Sequence, residues 1–438
     1  MPEAPSSSPQ PGLPADPASL DLQFAFGEAA LQAENLHELP PEVPLLEARA
    51  GDAPIARFLH HVLLEAVRLG ASDLHFEPYE HHYRVRLRID GELRHALSPP
   101  VLIKDKLASR IKVMSRLDIA EKRLPQDGRL KLRIDALQTV ELRVSTLPTL
   151  HGEKIVIRIL DGASTRRGIA ALGYEPADQA RLLDAIAHPH GMILVTGPTG
   201  SGKTVSLYAC LELLNRPGVN ICTVENPSEI GVPGINQVSV NDKAGLDFAT
   251  VLKAFLRQDP DVIMLGEIRD PETADIAIKA AQTGHLVLST LHTHDAPAAV
   301  TRLLNMGIAA HNIAASIVLV SAQRLARRLC PDCRQPADVP HQALLDAGFS
   351  AAELEEDWQV YRPLGCAACT LGYKGRIGFH QVMPLSEATQ RIVLCGGSAL
   401  DIAEQAAREG IPTLRAAGLR KVRQGLTSLE EVLALTRA

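Results

Sequence analysis

Apolar residues recur along this chain with two different periods, and the change of period divides it. Ile55, Phe58, Leu59, Val62, Leu63, Ala66 and Val67 fall on one helical face, and Gly70 stands where a helix C-cap is expected. Beyond Asp73 the period shortens to two. Tyr83, Val85, Leu87 and Ile89 alternate with Arg84, Arg86 and Arg88, which predicts a strand with one apolar face and one face of guanidinium groups. Asp90-Gly91 supplies a hairpin turn. Leu130 to Ile134 and Val140 to Val144 alternate likewise ahead of Ile155 to Ile159, so residues 51–160 are expected to form an α+β domain.

After a linker at 161–180 the pattern becomes short apolar runs between helical segments: Met192 to Val195, Ile221 to Val224, Val262 to Leu265 and Leu286 to Ser289. Such runs predict a parallel sheet covered on both faces, here an α/β domain over 181–328. The longest uncharged stretch, Leu303 to Gln323, could span a bilayer by length, but its Asn305, His311, Asn312 and Gln323 make an amphipathic soluble helix the better reading. A cysteine-bearing element follows at 329–375, then a helical C-terminal part at 376–438.

A chain of 438 residues should divide into two or three domains, and 46% hydrophobic with 22% charged residues excludes fibrous and wholly disordered classes. An aromatic content of 3%, with Trp358 the single tryptophan, and the absence of a long basic tract argue against a nucleic-acid partner. The first fifty residues are rich in Pro, Ser and Ala, with eight acidic side chains against one basic. They are expected to be a disordered acidic tail with a short helix around Phe24 to Asn35. With no signal-peptide pattern at the start, the expected location is the cytoplasm. Residues 51–160 instead hold nineteen Lys and Arg against fourteen Asp and Glu, or +5, which is either a solvated face or a surface aimed at something anionic.

Gly197-Pro198-Thr199-Gly200-Ser201-Gly202-Lys203-Thr204 lies between an apolar run and a helical segment from Val205 to Leu214. It is a complete phosphate loop in strand–loop–helix context. Backbone N–H groups there converge on phosphate oxygens, Lys203 can reach the β/γ-phosphates, and the Thr204 hydroxyl can ligate Mg²⁺. Glu267 falls just past the end of the run Val262 to Leu265, and Glu225 just past Ile221 to Val224. Two carboxylates at adjacent strand ends allow one to act on the metal and one to orient the attacking water. His292 and His294 follow the next run; His292 is a candidate γ-phosphate sensor, and a structural hydrogen-bonding role is its alternative.

Of seven cysteines, Cys330-Pro-Asp-Cys333 and Cys366-Ala-Ala-Cys369 form two C-x-x-C pairs, as a tetrahedral structural Zn²⁺ site requires. Cys210, Cys222 and Cys395 stand alone and are expected in cores.

From Ala53 onward the chain resembles the bacterial type II secretion and type IV pilus assembly ATPases. The likeness is carried by ASDLHFEP (71–78), RLRIDGEL (86–93), RLPQDGR (123–129), LPTLHGEKIVIRIL (147–160), GPTGSGKT (197–204), LRQDPDVIMLGEIRDPETADIA (256–277), QTGHLVLSTLHT (282–293), AQRLARRLCPDC (322–333), GYKGRIGFHQV (372–382) and QGLTSLEEV (424–432). The resemblance implies a RecA-like ATPase domain preceded by a PAS-like one. It assigns Lys203 and Thr204 to Walker A, Glu267 to Walker B, Glu225 to the acidic box that supplies the catalytic carboxylate, and His292 to the histidine box. It also implies ATP, Mg²⁺ and Zn²⁺, and a homo-hexamer in which N-terminal-domain arginines reach the nucleotide, with Arg129 and Arg143 as the matches. The partner implied is a polytopic inner-membrane platform protein, and the place is the inner face of the inner membrane. The acidic box departs from the family's Glu-Asp-Pro, reading Glu225-Asn226-Pro227, and many members carry a further folded domain before residue 53, which fifty Pro-rich residues do not replace.

Gly234-Ile-Asn-Gln237-Val238 and Ala403 to Leu435 look more like pilus motors than secretion motors. The four cysteines and the 147–160 segment look like the extending rather than the withdrawing branch. One alternative is the type II secretion motor with a pseudopilus as product; another is a nucleotide-regulated platform protein that binds ATP and scarcely turns over.

Overall fold

The computed structural model describes residues 53–134, 139–160, 168–228 and 230–437. The expected tail and its short helix, and linker residues 161–167, lie outside these. The chain divides into two units, 1–160 and 161–438.

In the first unit, helix α1 (Ala53–Arg68) leads into β1 (Ala71–Pro78), β2 (Tyr83–Ile89) and β3 (Glu92–Leu97); α2 (Lys104–Met114) then precedes β4 (Gln126–Arg133), β5 (Thr139–Thr149) and β6 (Gly152–Leu160). The six strands form one antiparallel sheet in the order β3-β2-β1-β6-β5-β4. Asp90 and Gly91 carry φ of 50° and 93°, the positive pair that a two-residue hairpin matching strand twist demands. Phe58, Leu59, Val62 and Leu63 of α1 and Leu107 and Ile111 of α2 pack on Leu74, Phe76, Val85, Leu87, Leu142 and Ile157. Each such side chain contributes roughly 1.5–3 kcal/mol by leaving water.

The other face of this sheet is charged. Glu77, 4% exposed, accepts two bonds from Arg86 at 2.8 Å each and one from Arg84 at 3.0 Å, with Lys154 at 3.3 Å. Burial alone would raise the Glu77 carboxyl, but the Arg86 bond and the surrounding cations hold it below the ordinary range. Asp73 is bonded by Arg158 at 3.0 Å. Arg84, Arg86, Lys154 and Arg158 are thus turned onto two buried carboxylates within the domain, which the +5 balance already counts.

The second unit contains α3 (Pro176–Ile186), β7 (Gly191–Thr196), α4 (Lys203–Leu214), β8 (Ile221–Glu225), β9 (Asn236–Ser239), α5 (Phe248–Phe255), β10 (Val262–Leu265), α6 (Pro271–Gln282), β11 (Leu286–Leu291), α7 (Ala296–Asn305), α8 (Ala310–Ser316) and β12 (Ile317–Leu329). It continues with β13 (Gln335–Pro336), α9 (His341–Ala347), α10 (Ala351–Leu354), β14 (Tyr361–Arg362), β15 (Tyr373–Pro384), α11 (Glu387–Leu394), α12 (Ala399–Arg408), α13 (Leu414–Arg423) and α14 (Leu429–Leu435). The seven-stranded sheet runs β15-β12-β7-β11-β10-β8-β9, parallel except for the edge strand β15. All six residues of β7 are buried because Met192 and Leu194 face one core and Ile193 and Val195 the other. This is the α/β, RecA-like fold, with an α+β unit before it and a tetracysteine element and helices after it.

The structure corrects three expectations. Leu303–Gln323 is not one helix: α7 ends at Asn305, Gly307 turns the chain at φ 86°, and after the short α8 the run beginning Ile317-Val318-Leu319-Val320 enters the sheet beside β7. Three of those four residues are β-branched, and the sheet offers them neighbours on both faces. Cys395 is exposed rather than in a core, because it lies just past the end of α11; Cys210 and Cys222 are buried. Residues 376–384 belong to β15, so the C-terminal helices begin at Glu387. No helix among the described residues is long and apolar enough to cross a membrane.

Candidate nucleotide and metal sites

The parallel strands β7, β11, β10 and β8 deliver four loops to one edge of the sheet, where ligands of open α/β folds bind. The phosphate loop follows β7, His292 follows β11, Glu267 follows β10, and Glu225 ends β8. Gly197 has φ 150°, and a Cβ there would stand 2.6 Å from both the Gln323 carbonyl and Ser201 Oγ, so only glycine lets the loop turn this tightly. Gly202, at φ 87°, opens α4.

Lys203 Nζ donates to the carbonyls of Gly197 at 2.9 Å and Pro198 at 3.0 Å. Burial lowers its pKa from the ordinary lysine value; the Glu267 charge opposes that shift and Arg324 adds to it. Thr204 is half-buried in the first turn of α4. Glu267 accepts from Arg269 at 2.5 Å and stands 3.1 Å from His292 Nε2. Burial would raise this carboxyl, but those two partners hold it below the ordinary range, so it is an anion at neutral pH. Glu225 is 4% exposed; it accepts from Tyr208 Oη at 2.7 Å, from Thr223 Oγ1 at 2.8 Å, and from Gln237 Nε2 at 3.3 Å. His294 is exposed, and its carbonyl accepts from Arg324 Nη2 at 2.9 Å.

The second unit therefore brings together the 197–204 loop, Glu225, Glu267 and His292. Arg129 and Arg143 belong to the first unit, where they are directly opposed across β4 and β5, Arg129 also bonding Glu141 at 3.3 Å. Sequence reasoning missed Tyr208, Gln237, Gln323 and Arg324. The Gln323-Arg324 pair lies inside a motif that carried the resemblance, Gln237 in the run that looks like pilus motors, and Tyr208 in a largely buried, mostly apolar helix.

The chain matches the type II/IV secretion system protein family over residues 48–434. It belongs to that family. The type IV pilus assembly ATPase PilB of Acinetobacter baylyi is 55% identical over 386 residues, 88% of this chain and 67% of the relative. The type II secretion system ATPase E of Vibrio cholerae is 48% identical, over 91% of this chain and 78% of the relative. Among solved structures, the ADP-bound pilus retraction motor PilT aligns with 87% of this chain and 97% of its own at TM-score 0.59, and the ATPase DotB of Legionella pneumophila with 91% and 98% at 0.62. At 22% and 19% identity these two speak for the fold alone. As a member of this family with a complete phosphate loop, the chain is a P-loop ATPase.

Beside β12, the Sγ atoms of Cys330, Cys333, Cys366 and Cys369 all lie within 4.8 Å of one another. Three of the separations are 3.9 Å (330 to 366), 3.6 Å (333 to 369) and 3.6 Å (366 to 369). Thiolates at about 2.3 Å around a tetrahedral zinc stand about 3.8 Å apart, and these three separations match that spacing. Each pair is a tight turn, with Cys333 N bonding Cys330 O and Cys369 N bonding Cys366 O. The small sheet of β13 and β14 extends this element, and Phe349 and Val360 seat it on Leu419 and Val432 of the C-terminal helices.

Proposed function

We propose that this chain is the ATP-hydrolysing motor that extends a type IV pilus. The observation that carries the chemistry is the placement of Glu225 and Glu267 at neighbouring strand ends beside the phosphate loop. In this reading residues 197–204 cradle the phosphates. Glu225 takes a proton from water as the water oxygen forms the new bond to the γ-phosphorus; the bond to the β-phosphate oxygen breaks and ADP leaves. Lys203 neutralises the transferring group. Thr204 and the anionic Glu267 would hold Mg²⁺, which when bound adds charge neutralisation at the phosphate oxygens. His292, bonded to Glu267, responds to the γ-phosphate. The four cysteines hold Zn²⁺ and fold the 329–375 element.

The domain boundaries proposed are those of the sequence reading, with β15 added to the ATPase sheet. The working assembly is a cytoplasmic homo-hexamer at the inner face of the inner membrane, in which Arg129 and Arg143 of one subunit serve the nucleotide of the next. Its partner is a polytopic platform protein that adds pilin subunits. The 55% identity to the PilB of Acinetobacter baylyi, against 48% to the secretion ATPase of Vibrio cholerae, supports the pilus. The secretion motor, with the same chemistry, is the second reading. The test is deletion of the gene and its replacement by Lys203→Ala: both should abolish fibres. Retained secreted substrate with fibres intact selects the second reading, and over-decorated cells overturn extension.

A further inference from the structure

Glu225 is tied to two different parts of the unit. Thr223 lies on the same strand, so its bond moves with the carboxylate. Gln237 is occupied mainly with groups other than Glu225: its Nε2 lies 2.9 Å from Ile230 O, 3.0 Å from Ser228 Oγ and 3.2 Å from Tyr208 Oη, all closer than the 3.3 Å to Glu225, and its Oε1 accepts from Val232 N at 2.6 Å. Tyr208 is different. It lies on α4, five residues after Lys203, and its hydroxyl reaches across to Glu225 Oε2 at 2.7 Å. We propose that Tyr208 is a positioning residue for hydrolysis, which aims the Glu225 carboxylate from the helix that carries the phosphate-binding lysine.

A carboxylate offers about four lone-pair directions. Two at Oε1 are used by Thr223 and Gln237 and one at Oε2 by Tyr208, which leaves one direction at Oε2 for a water molecule. The bond from Tyr208 thus selects both the oxygen and the lone pair that meet the substrate water. Tyr208 is 5% exposed, and its ring fills the core on which α4 packs. A phenylalanine would fill that core equally well; besides donating to Glu225, the hydroxyl accepts from Gln237 Nε2 at 3.2 Å and lies 3.4 Å from Ile230 O. Because α4 begins at Lys203, any shift of the helix as phosphates engage the loop is passed to the carboxylate through one short hydrogen bond.

The proposal rests on the reading of Glu225 as the base, and a double-mutant cycle in the full-length protein separates the two. Tyr208→Phe should lower kcat by about tenfold to a hundredfold, the range expected for a hydrogen bond to a charged group. KM for ATP and the dissociation constant of a fluorescent ADP analogue should stay within about twofold. In the Glu225→Gln background, which should itself be very slow, adding Tyr208→Phe should cost nothing further. Equal losses in both backgrounds, unchanged kcat in the single variant, or a fall in kcat matched by weaker ADP binding would each overturn the assignment of Tyr208. Near-normal turnover by Glu225→Gln alone would instead overturn the reading on which it rests.

Discussion

The side-chain amide of Gln323 donates to the carbonyl of Ser201 at 2.6 Å, while its oxygen accepts from Ser206 at 2.8 Å. A single buried residue of β12 therefore braces both the phosphate loop and the helix behind it. Its neighbour Arg324 holds the carbonyl of His294 at 2.9 Å and that of Leu435 at 3.4 Å, so the same strand also fixes the histidine loop to the C-terminal end of α14. Further along, Arg327 bonds Glu431, and the strand ends at Leu329, next to the first cysteine of the metal site.

Gln323→Leu would leave the Ser201 carbonyl and the Ser206 hydroxyl without these buried partners, at a cost of about 1–3 kcal/mol. Part of that cost should appear as looser phosphate binding, about tenfold, when a fluorescent ADP analogue is titrated against the variant. Wild-type affinity would show that the loop keeps its shape without the brace.

Glu225→Gln should bind ATP with near-native affinity and hydrolyse it about a hundredfold or more slowly, the range for loss of a general base. Phosphate release under saturating ATP checks this. A near-normal rate would move the base role to Glu267.

The apolar runs that became β7, β8, β10 and β11 were legible because parallel strands buried on both faces admit little except aliphatic side chains. The residues just beyond them were then placed by topology alone, and so Glu225, Glu267 and His292 could be named from the sequence. Tyr208 could not. In a helix as apolar as α4, a tyrosine reads as core, and only the tertiary distance to Glu225 shows what its hydroxyl does. Leu303–Gln323 was misread for a related reason, since an uncharged run has no polar period to separate a buried helix from a buried strand. Gln323, at the end of that run, argues against a membrane span, and nothing beside it in the sequence marks it as a brace for the phosphate loop.

Elemental analysis of protein purified without chelators should find about one zinc per chain, as four thiolates within 4.8 Å imply. Cys333→Ser should lower both metal content and melting temperature, because zinc binding at such sites is coupled to local folding. A wild-type protein free of metal under these conditions would refute the assignment.

If Arg143 of one subunit serves the nucleotide of the next, Arg143→Ala should depress kcat while leaving ADP binding intact. Mixing it with the equally inactive Lys203→Ala protein should restore part of the activity, since some composite sites then contain both native residues. No recovery in mixed, reassembled rings would mean that the arginine acts within its own chain or not at all.

His380 sets a pH limit on stability. The ring is buried in β15, stacked on Tyr174 at 3.6 Å, and its Nδ1 has no hydrogen-bond partner among the described residues. Burial first, and the Lys421 charge second, push its pKa down to about 3 from the ordinary 6.5. Below pH 6.5 the unfolded chain gains a proton at this ring and the folded one does not, so stability is complete above that value and falls by about 1.4 kcal/mol per pH unit toward pH 3. Glu77 and Glu267, both held below the ordinary carboxylate range, add their own losses only nearer to or below pH 4.5, and they do so in any variant. His380→Phe keeps a ring against Tyr174 and removes the titrating group. Denaturant unfolding between pH 7 and pH 5 should therefore show the wild type losing on the order of 2 kcal/mol more than the variant; parallel losses in the two proteins would mean that His380 accepts its proton without leaving the folded state.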